Sequence, residues 1–193
     1  MPTNSSANHL FGAADEFQQF CNKQSWKYCF IGGLAVLRWG EIRMTQDIDL
    51  CLLCGFGSEE AYVTKLLETF QPRINNAVDF ALKNRVFLVT ASNGTPVDIS
   101  LSGLPFEEEM VSRATCFEFS KGCSLLTCSA EDLIILKAFA DRSKDWIDIE
   151  GIILRQAENL NQELIFDQLS PFCDIKGSPE TIPKLKAVFV KNQ

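Results

Sequence analysis

The stretch Asp47-Ile48-Asp49-Leu50-Cys51-Leu52-Leu53 decides how this chain is read. Two acids one residue apart open an otherwise apolar run, and thirteen residues separate them from the pair Gly32-Gly33. Side chains alternate along a strand, so reading residues 46–53 as a strand puts both carboxylates on one face of a sheet. Like charges held that close repel, and burying either one unpaired is costly. A divalent cation removes both objections, and Mg²⁺ (or Mn²⁺), with its preference for oxygen, suits two carboxylates. A phosphate then needs backbone donors, which Gly32-Gly33 at a strand-to-helix turn would supply. Together these features predict metal-assisted chemistry on a nucleotide.

Working outward, Leu10, Phe11, Ala14, Phe17 and Phe20 recur at helical spacing and predict an amphipathic helix over 5–20. Residues 26–31 read as an aromatic-rich strand broken by Gly32-Gly33, and 34–39 as a buried helix stopped by Gly40. After 46–53, Ser58 is the expected N-cap of a helix reaching about Phe70, with Glu59-Glu60 at its positive end. Residues 85–91 and 96–101 are β-rich runs joined by Ser92-Asn93-Gly94-Thr95, a strong hairpin signal. Short strands follow at 115–119 and 123–127, and Glu107-Glu108-Glu109 is read as a solvated helix start. From Ser129, an N-cap with an acid three residues on, the pattern turns helical: 129–142, 145–158, 161–170 and 179–190, with breaks at Ser143, Pro171 and Gly177-Ser178-Pro179.

The second hairpin strand carries Asp98 within Val97-Asp98-Ile99-Ser100-Leu101. An acid inside an alternating apolar strand needs a reason, and a strand lying beside the first would gather Asp47, Asp49 and Asp98. Three carboxylates serve a two-metal site, and Asp98 is also placed to take the nucleophile's proton.

Composition agrees with an ordinary globular chain. The 193 residues are 46% apolar and 22% charged, enough for a real core. A net charge of −7 argues against broad nucleic-acid binding through phosphate neutralisation, while leaving room for a local basic patch. No apolar run approaches a membrane span and the N-terminus is polar, so the expected location is the cytoplasm. Cys21, Cys29, Cys51, Cys54, Cys116, Cys123, Cys128 and Cys173 mostly sit among apolar residues and are expected to be free core thiols. Cys51-Leu52-Leu53-Cys54 lacks a second matching pair, and His9 is the one histidine, which disfavours zinc and histidine-based nucleophilic catalysis.

Gly32-Gly33, Thr45-Gln46-Asp47-Ile48-Asp49-Leu50 and Val97-Asp98-Ile99, in that order, resemble the signature of the DNA polymerase β-type nucleotidyltransferase superfamily. The segment from Leu136 through Lys137, Asp141-Arg142-Ser143-Lys144-Asp145 and Asp148 to Ile149 resembles the helical half of minimal nucleotidyltransferases of the AbiEii type, some of which are toxins of toxin–antitoxin pairs. The resemblance covers roughly residues 28–155. It implies that Gly32 and Gly33 contact nucleotide phosphates, that Asp47 and Asp49 bind metal with Asp98 as third carboxylate, and that Lys137 reaches the triphosphate. Arg142, Asp145 and Asp148 would surround the same cleft. Many relatives carry Ser after the first Gly, where this chain has Gly33.

Each reading has a plainer rival. Asp47 and Asp49 also suit a solvent-facing strand edge. Thr45 either bonds a phosphate or holds the loop entering the strand. Lys137 also suits an ammonium snorkelling to water, and Asp145 also suits the dipole of a helix capped by Ser143. Arg38 and Arg43 flank the loop before the aspartates, where they suit pairing with them or contact with substrate, and surface solvation is the plainer reading for each.

The expectation is an α/β fold: a mixed twisted sheet with flanking helices as the catalytic core (1–128), followed by a C-terminal helical region (129–193). The cleft is expected between the aspartate-bearing sheet face and the Lys137 helix. The reaction implied is transfer of a nucleoside monophosphate from an NTP to a hydroxyl acceptor, releasing pyrophosphate. The acceptor is a tRNA, a protein or a small molecule, and a toxin would have an antitoxin partner. The alternative is a non-catalytic nucleotide- or protein-binding module on the same scaffold.

Overall fold

Seven strands form one mixed sheet in the computed structural model, which describes residues 4–192, with side chains from His9 on. The sequence order runs α1 (Asn4–Lys23), β1 (Lys27–Ile31), α2 (Gly32–Trp39), β2 (Ile48–Leu53), α3 (Glu59–Leu67), β3 (Gln71–Pro72), α4 (Ala77–Asn84), β4 (Val86–Thr90), β5 (Pro96–Ser102), α5 (Pro105–Arg113), β6 (Thr115–Ser120) and β7 (Cys123–Thr127). The helices α6 (Ala130–Ala140), α7 (Ser143–Gln156), α8 (Gln162–Lys176) and α9 (Thr181–Lys191) complete the chain. Two compact units result: one holds the residues up to Leu34 with Met44–Cys128, the other Ala35–Arg43 with the residues from Ser129 on.

The first unit contains the whole sheet, in the order β3-β4-β5-β2-β1-β7-β6. The Asn93-Gly94 turn does join β4 and β5 as an antiparallel hairpin, with Gly94 at φ +88°. β5 then lies parallel to β2, and β1 antiparallel to β2. Leu50, Cys51 and Leu52 are all buried, as a central strand covered on both faces requires. Phe17 of α1 stacks on Phe70 with ring centroids 4.0 Å apart, fastening that helix within the unit.

Local departures from expectation have local causes. Ser58 makes no side-chain cap; Glu59 beside it pairs with Arg85 instead. Glu107 is not merely solvated, since its carboxylate accepts the Gly103 and Leu104 amides at 2.7 and 2.8 Å and caps α5. All eight cysteines are free thiols, but Cys116 is exposed on β6 and Cys123 only half-buried, so those two are not core residues. Burial pushes the Cys21 thiol up to about 12.

In the second unit α6 is buried nearly all round, through Leu133, Ile134, Ile135, Lys137 and Ala138, which makes it the central helix there. Ser129 caps it as expected, its hydroxyl accepting the Asp132 amide at 3.1 Å. The expected break at Pro171 does not occur. α8 runs on to Lys176 because Ile165, Leu169 and Cys173 keep one face buried across the proline. Ser143 is the first residue of α7 rather than its cap; Arg142 takes the cap position. Among the described residues no helix is long and apolar enough to cross a membrane.

Candidate active site

Strand pairing brings Asp49 and Asp98 side by side. They are register partners on the parallel strands β2 and β5, so both face the same way, about 4.8 Å apart in backbone spacing. On its other side Asp49 is opposite Ile31, the last residue of β1, and the Gly32-Gly33 turn follows at once. A Cβ at Gly32 would lie 1.8 Å from Asp49 Oδ2, and Gly32 has φ +55°. Glycine is therefore required there twice over, by conformation and by the carboxylate's approach. The Gly33 amide donates to Asp49 Oδ2 at 3.4 Å. That amide is one of the unpaired donors opening α2, so Asp49 sits at the positive end of the helix.

Asp47 lies one residue ahead of β2, at a bend, rather than inside the strand as the 46–53 reading had it. Strand alternation does not aim it. Thr45 does: its hydroxyl lies 3.2 Å from Asp47 Oδ1 and 3.3 Å from the Asp47 carbonyl oxygen. A Cβ at Gly33 would stand 2.2 Å from Thr45 Oγ1, so the second glycine makes room for the threonine. Thr45 thus bonds within the loop that enters the strand.

Asp98 is ion-paired with Arg73, a residue that sequence reading passed over. Arg73 follows β3, and its amide extends the pairing by donating to Leu88 O at 3.0 Å. Nothing near Pro72 marks it in sequence, because its role depends on a two-residue strand.

Among the described residues no three His, Cys, Asp or Glu groups form a ready metal cage. The donor chemistry nonetheless fits a hard cation: two carboxylates lie in register with a third two residues away, and a cation would compete with Arg73 for Asp98. Mg²⁺ commonly takes one or two protein carboxylates and fills its remaining positions with water and substrate phosphate.

The other expected site residues gather in the second unit. The Lys137 ammonium is buried and donates to Asp145 Oδ1 at 3.0 Å and Asp148 Oδ2 at 2.7 Å. Asp145 also accepts Arg142 Nε at 2.5 Å. Asp148 accepts Arg43 through a two-point fork, Nε at 2.7 Å and Nη2 at 2.9 Å. Burial alone would raise both carboxyls, but the hydrogen bonds and charges of Arg142 and Lys137 at Asp145, and of Arg43 and Lys137 at Asp148, hold each below the usual range. Lys137 therefore does not snorkel. Arg43, though part-exposed, is paired with Asp148, and Arg38 lies over the Trp39 ring, 3.9 Å from its centroid.

Several solved structures share the fold. An antigenic nucleotidyltransferase-like protein from Paracoccidioides brasiliensis aligns with a TM-score of 0.59 at 18% identity, covering 97% of this chain and 94% of that one. The antibiotic-resistance factor ANT(2'')-Ia aligns at 0.53 and 19%, covering 88% and 94%. The lincosamide antibiotic adenylyltransferase LnuA, solved with lincomycin bound, aligns at 0.51 and 13%, covering 73% and 94%. No curated protein matches the chain. The family described as nucleotidyltransferase of unknown function (DUF6036) matches residues 8–181. With nearly the whole chain matched, and with paired acids beside a diglycine turn, this protein belongs to the DUF6036 family of nucleotidyltransferases.

Proposed function

We propose that this enzyme transfers a nucleoside monophosphate from an NTP to a hydroxyl acceptor at the Asp49–Asp98 pair, with Mg²⁺ or Mn²⁺ held there. The observation that carries the proposal is the register of Asp49 and Asp98 at the Gly32-Gly33 turn. Asp47 and Asp49 hold the cation, with Asp98 as third carboxylate. When bound, the cation supplies charge neutralisation at the triphosphate and activates the attacking oxygen. Asp98 takes the acceptor's proton as its hydroxyl attacks the α-phosphorus and pyrophosphate leaves. Arg73, beside Asp98, and the amides of the diglycine turn would supply donors to the phosphates. Arg142, whose side chain is 61% exposed, is the most open member of the second unit's charged cluster. Lys137, Asp145 and Asp148 support it as a buried charge hub.

The net charge of −7 favours a protein or small-molecule hydroxyl over bulk RNA, with a tRNA terminus as the remaining acceptor. The AbiEii-like spacing around Lys137 supports a toxin paired with an antitoxin protein. Incubation with each labelled NTP, Mg²⁺ or Mn²⁺, and tRNA, protein and polyhydroxylated small-molecule acceptors tests the proposal. Label transfer by wild type and none by Asp49→Asn is the expected result. Metal-independent transfer, or equal transfer by both proteins, overturns it.

A further inference from the structure

The residues just before the loop that carries Thr45 and Asp47 are fastened to α7 along one helix face. Gln156 Nε2 donates to Trp39 O at 2.9 Å and Arg155 Nη1 to Gly40 O at 2.5 Å. A Cβ at Gly151 would come within 3.0 Å of Glu41 Cγ and 3.3 Å of Glu41 N. A Cβ at Gly40 would come within 3.0 Å of Ile152 Cγ1. Asp148 takes the Arg43 guanidinium in its two-point fork. Positions 148, 151, 152 and 155 recur at three- and four-residue steps, so they form a single stripe along α7. Glycine in mid-helix costs about 1 kcal/mol relative to alanine. Its presence at 151 is accounted for by the backbone lying directly on it.

The stripe ends at Arg43, two residues before Thr45 and four before Asp47. Residues 41–46 have no regular secondary structure, so their path depends on such anchors. Ile42 and Met44 are 79% and 70% exposed, while Arg43 between them reaches Asp148 on α7. Arg43 is held strongly because its partner is itself fixed: Asp148 is buried and already bonded to Lys137. A bidentate guanidinium fork fixes direction as well as distance, which an ammonium does not.

We infer that Arg43 and Asp148 are positioning residues that order the loop into Thr45 and so set the orientation of Asp47. This rests on the reading of Asp47 as a cation ligand given above. Neither residue touches substrate in this role. Lys137 serves it as the third member, fixing the carboxylate that fixes the arginine.

Two readouts test it in the intact protein: amide hydrogen exchange over residues 41–47 without metal or nucleotide, and Mn²⁺ affinity from the free-ion paramagnetic resonance signal. Arg43→Met and Asp148→Asn should each speed exchange in that segment at least tenfold and weaken Mn²⁺ binding about tenfold, leaving exchange in β2 unchanged. Arg43→Lys, which keeps the charge but not the fork, should fall between them and wild type. Arg43→Met leaves Lys137 between both carboxylates, so it stays informative if Asp148→Asn fails to fold. Wild-type exchange in Arg43→Met overturns the inference, as does faster exchange with unchanged Mn²⁺ affinity. If wild type itself binds no Mn²⁺, the cation reading fails, while the exchange measurement still decides whether the clamp orders the loop.

Discussion

Replacing Lys137 with methionine keeps much of the side chain's volume and removes one charge from a buried cluster. The Lys137, Asp145 and Asp148 side chains are 7%, 0% and 4% exposed. Breaking a buried ion pair leaves an uncompensated charge and costs about 3–5 kcal/mol. Here each carboxylate keeps one arginine, but Arg43 and Arg142 are 40% and 61% exposed and solvent screens them. The expected loss is therefore at the low end, about 3 kcal/mol. For a chain of this length that lowers Tm by about 6–12 °C. The pH dependence has a definite sign. Both carboxyls are held below their ordinary value in the folded protein, so their contribution is present above the unfolded value of about 3.9 and is lost as pH falls through the lower folded values. The penalty of Lys137→Met should thus be full at pH 7 and shrink below about pH 4, where the stranded carboxylates protonate. Urea unfolding followed by circular dichroism and tryptophan fluorescence at both pH values measures it. A pH 7 loss under about 1 kcal/mol, or a penalty that grows in acid, would refute the buried-hub reasoning.

Other substitutions separate the site's geometry from its stability. Gly32→Ala meets both the left-handed conformation and Asp49, so it should cost about 2 kcal/mol and reduce transfer at least roughly 100-fold by displacing the carboxylate; melts and the transfer assay read both. Gly12→Ala, with open space at the new methyl, should instead stabilise α1 by up to about 1 kcal/mol with transfer unchanged. Asp98→Asn breaks a half-exposed pair with Arg73 and should change stability by under about 1 kcal/mol. Its Mn²⁺ affinity, read by titration calorimetry, should fall at least tenfold.

The sheet was legible where local signals and tertiary pairing agree. Alternation in Val97–Leu101 and the Asn93-Gly94 turn foretold a hairpin, and that hairpin is what delivers Asp98 to Asp49. The diglycine was legible as a special turn, but not the reason for it. Gly32 makes room for a carboxylate seventeen residues on, a contact with no local trace. β3 and α4 were missed because a two-residue strand has no periodicity and α4 is only two turns long. Pro171 misled because local propensity favours a break while burial of Ile165, Leu169 and Cys173 favours continuity. Arg43 looked like a surface charge, and Arg73 drew no reading at all. Their partners lie 105 and 25 residues away, and only the folded chain pairs them.

The central claim is that Asp49 belongs to a cation-dependent nucleotidyl-transfer site rather than to a structural ion pair. Its most direct test is Mn²⁺ binding to wild type and to Asp49→Asn in the presence of a non-hydrolysable NTP analogue, with folding checked by circular dichroism. Stoichiometric Mn²⁺ binding by wild type, lost in a folded Asp49→Asn, is the predicted result. Equal Mn²⁺ binding by both proteins, or loss of the fold in Asp49→Asn, would contradict it.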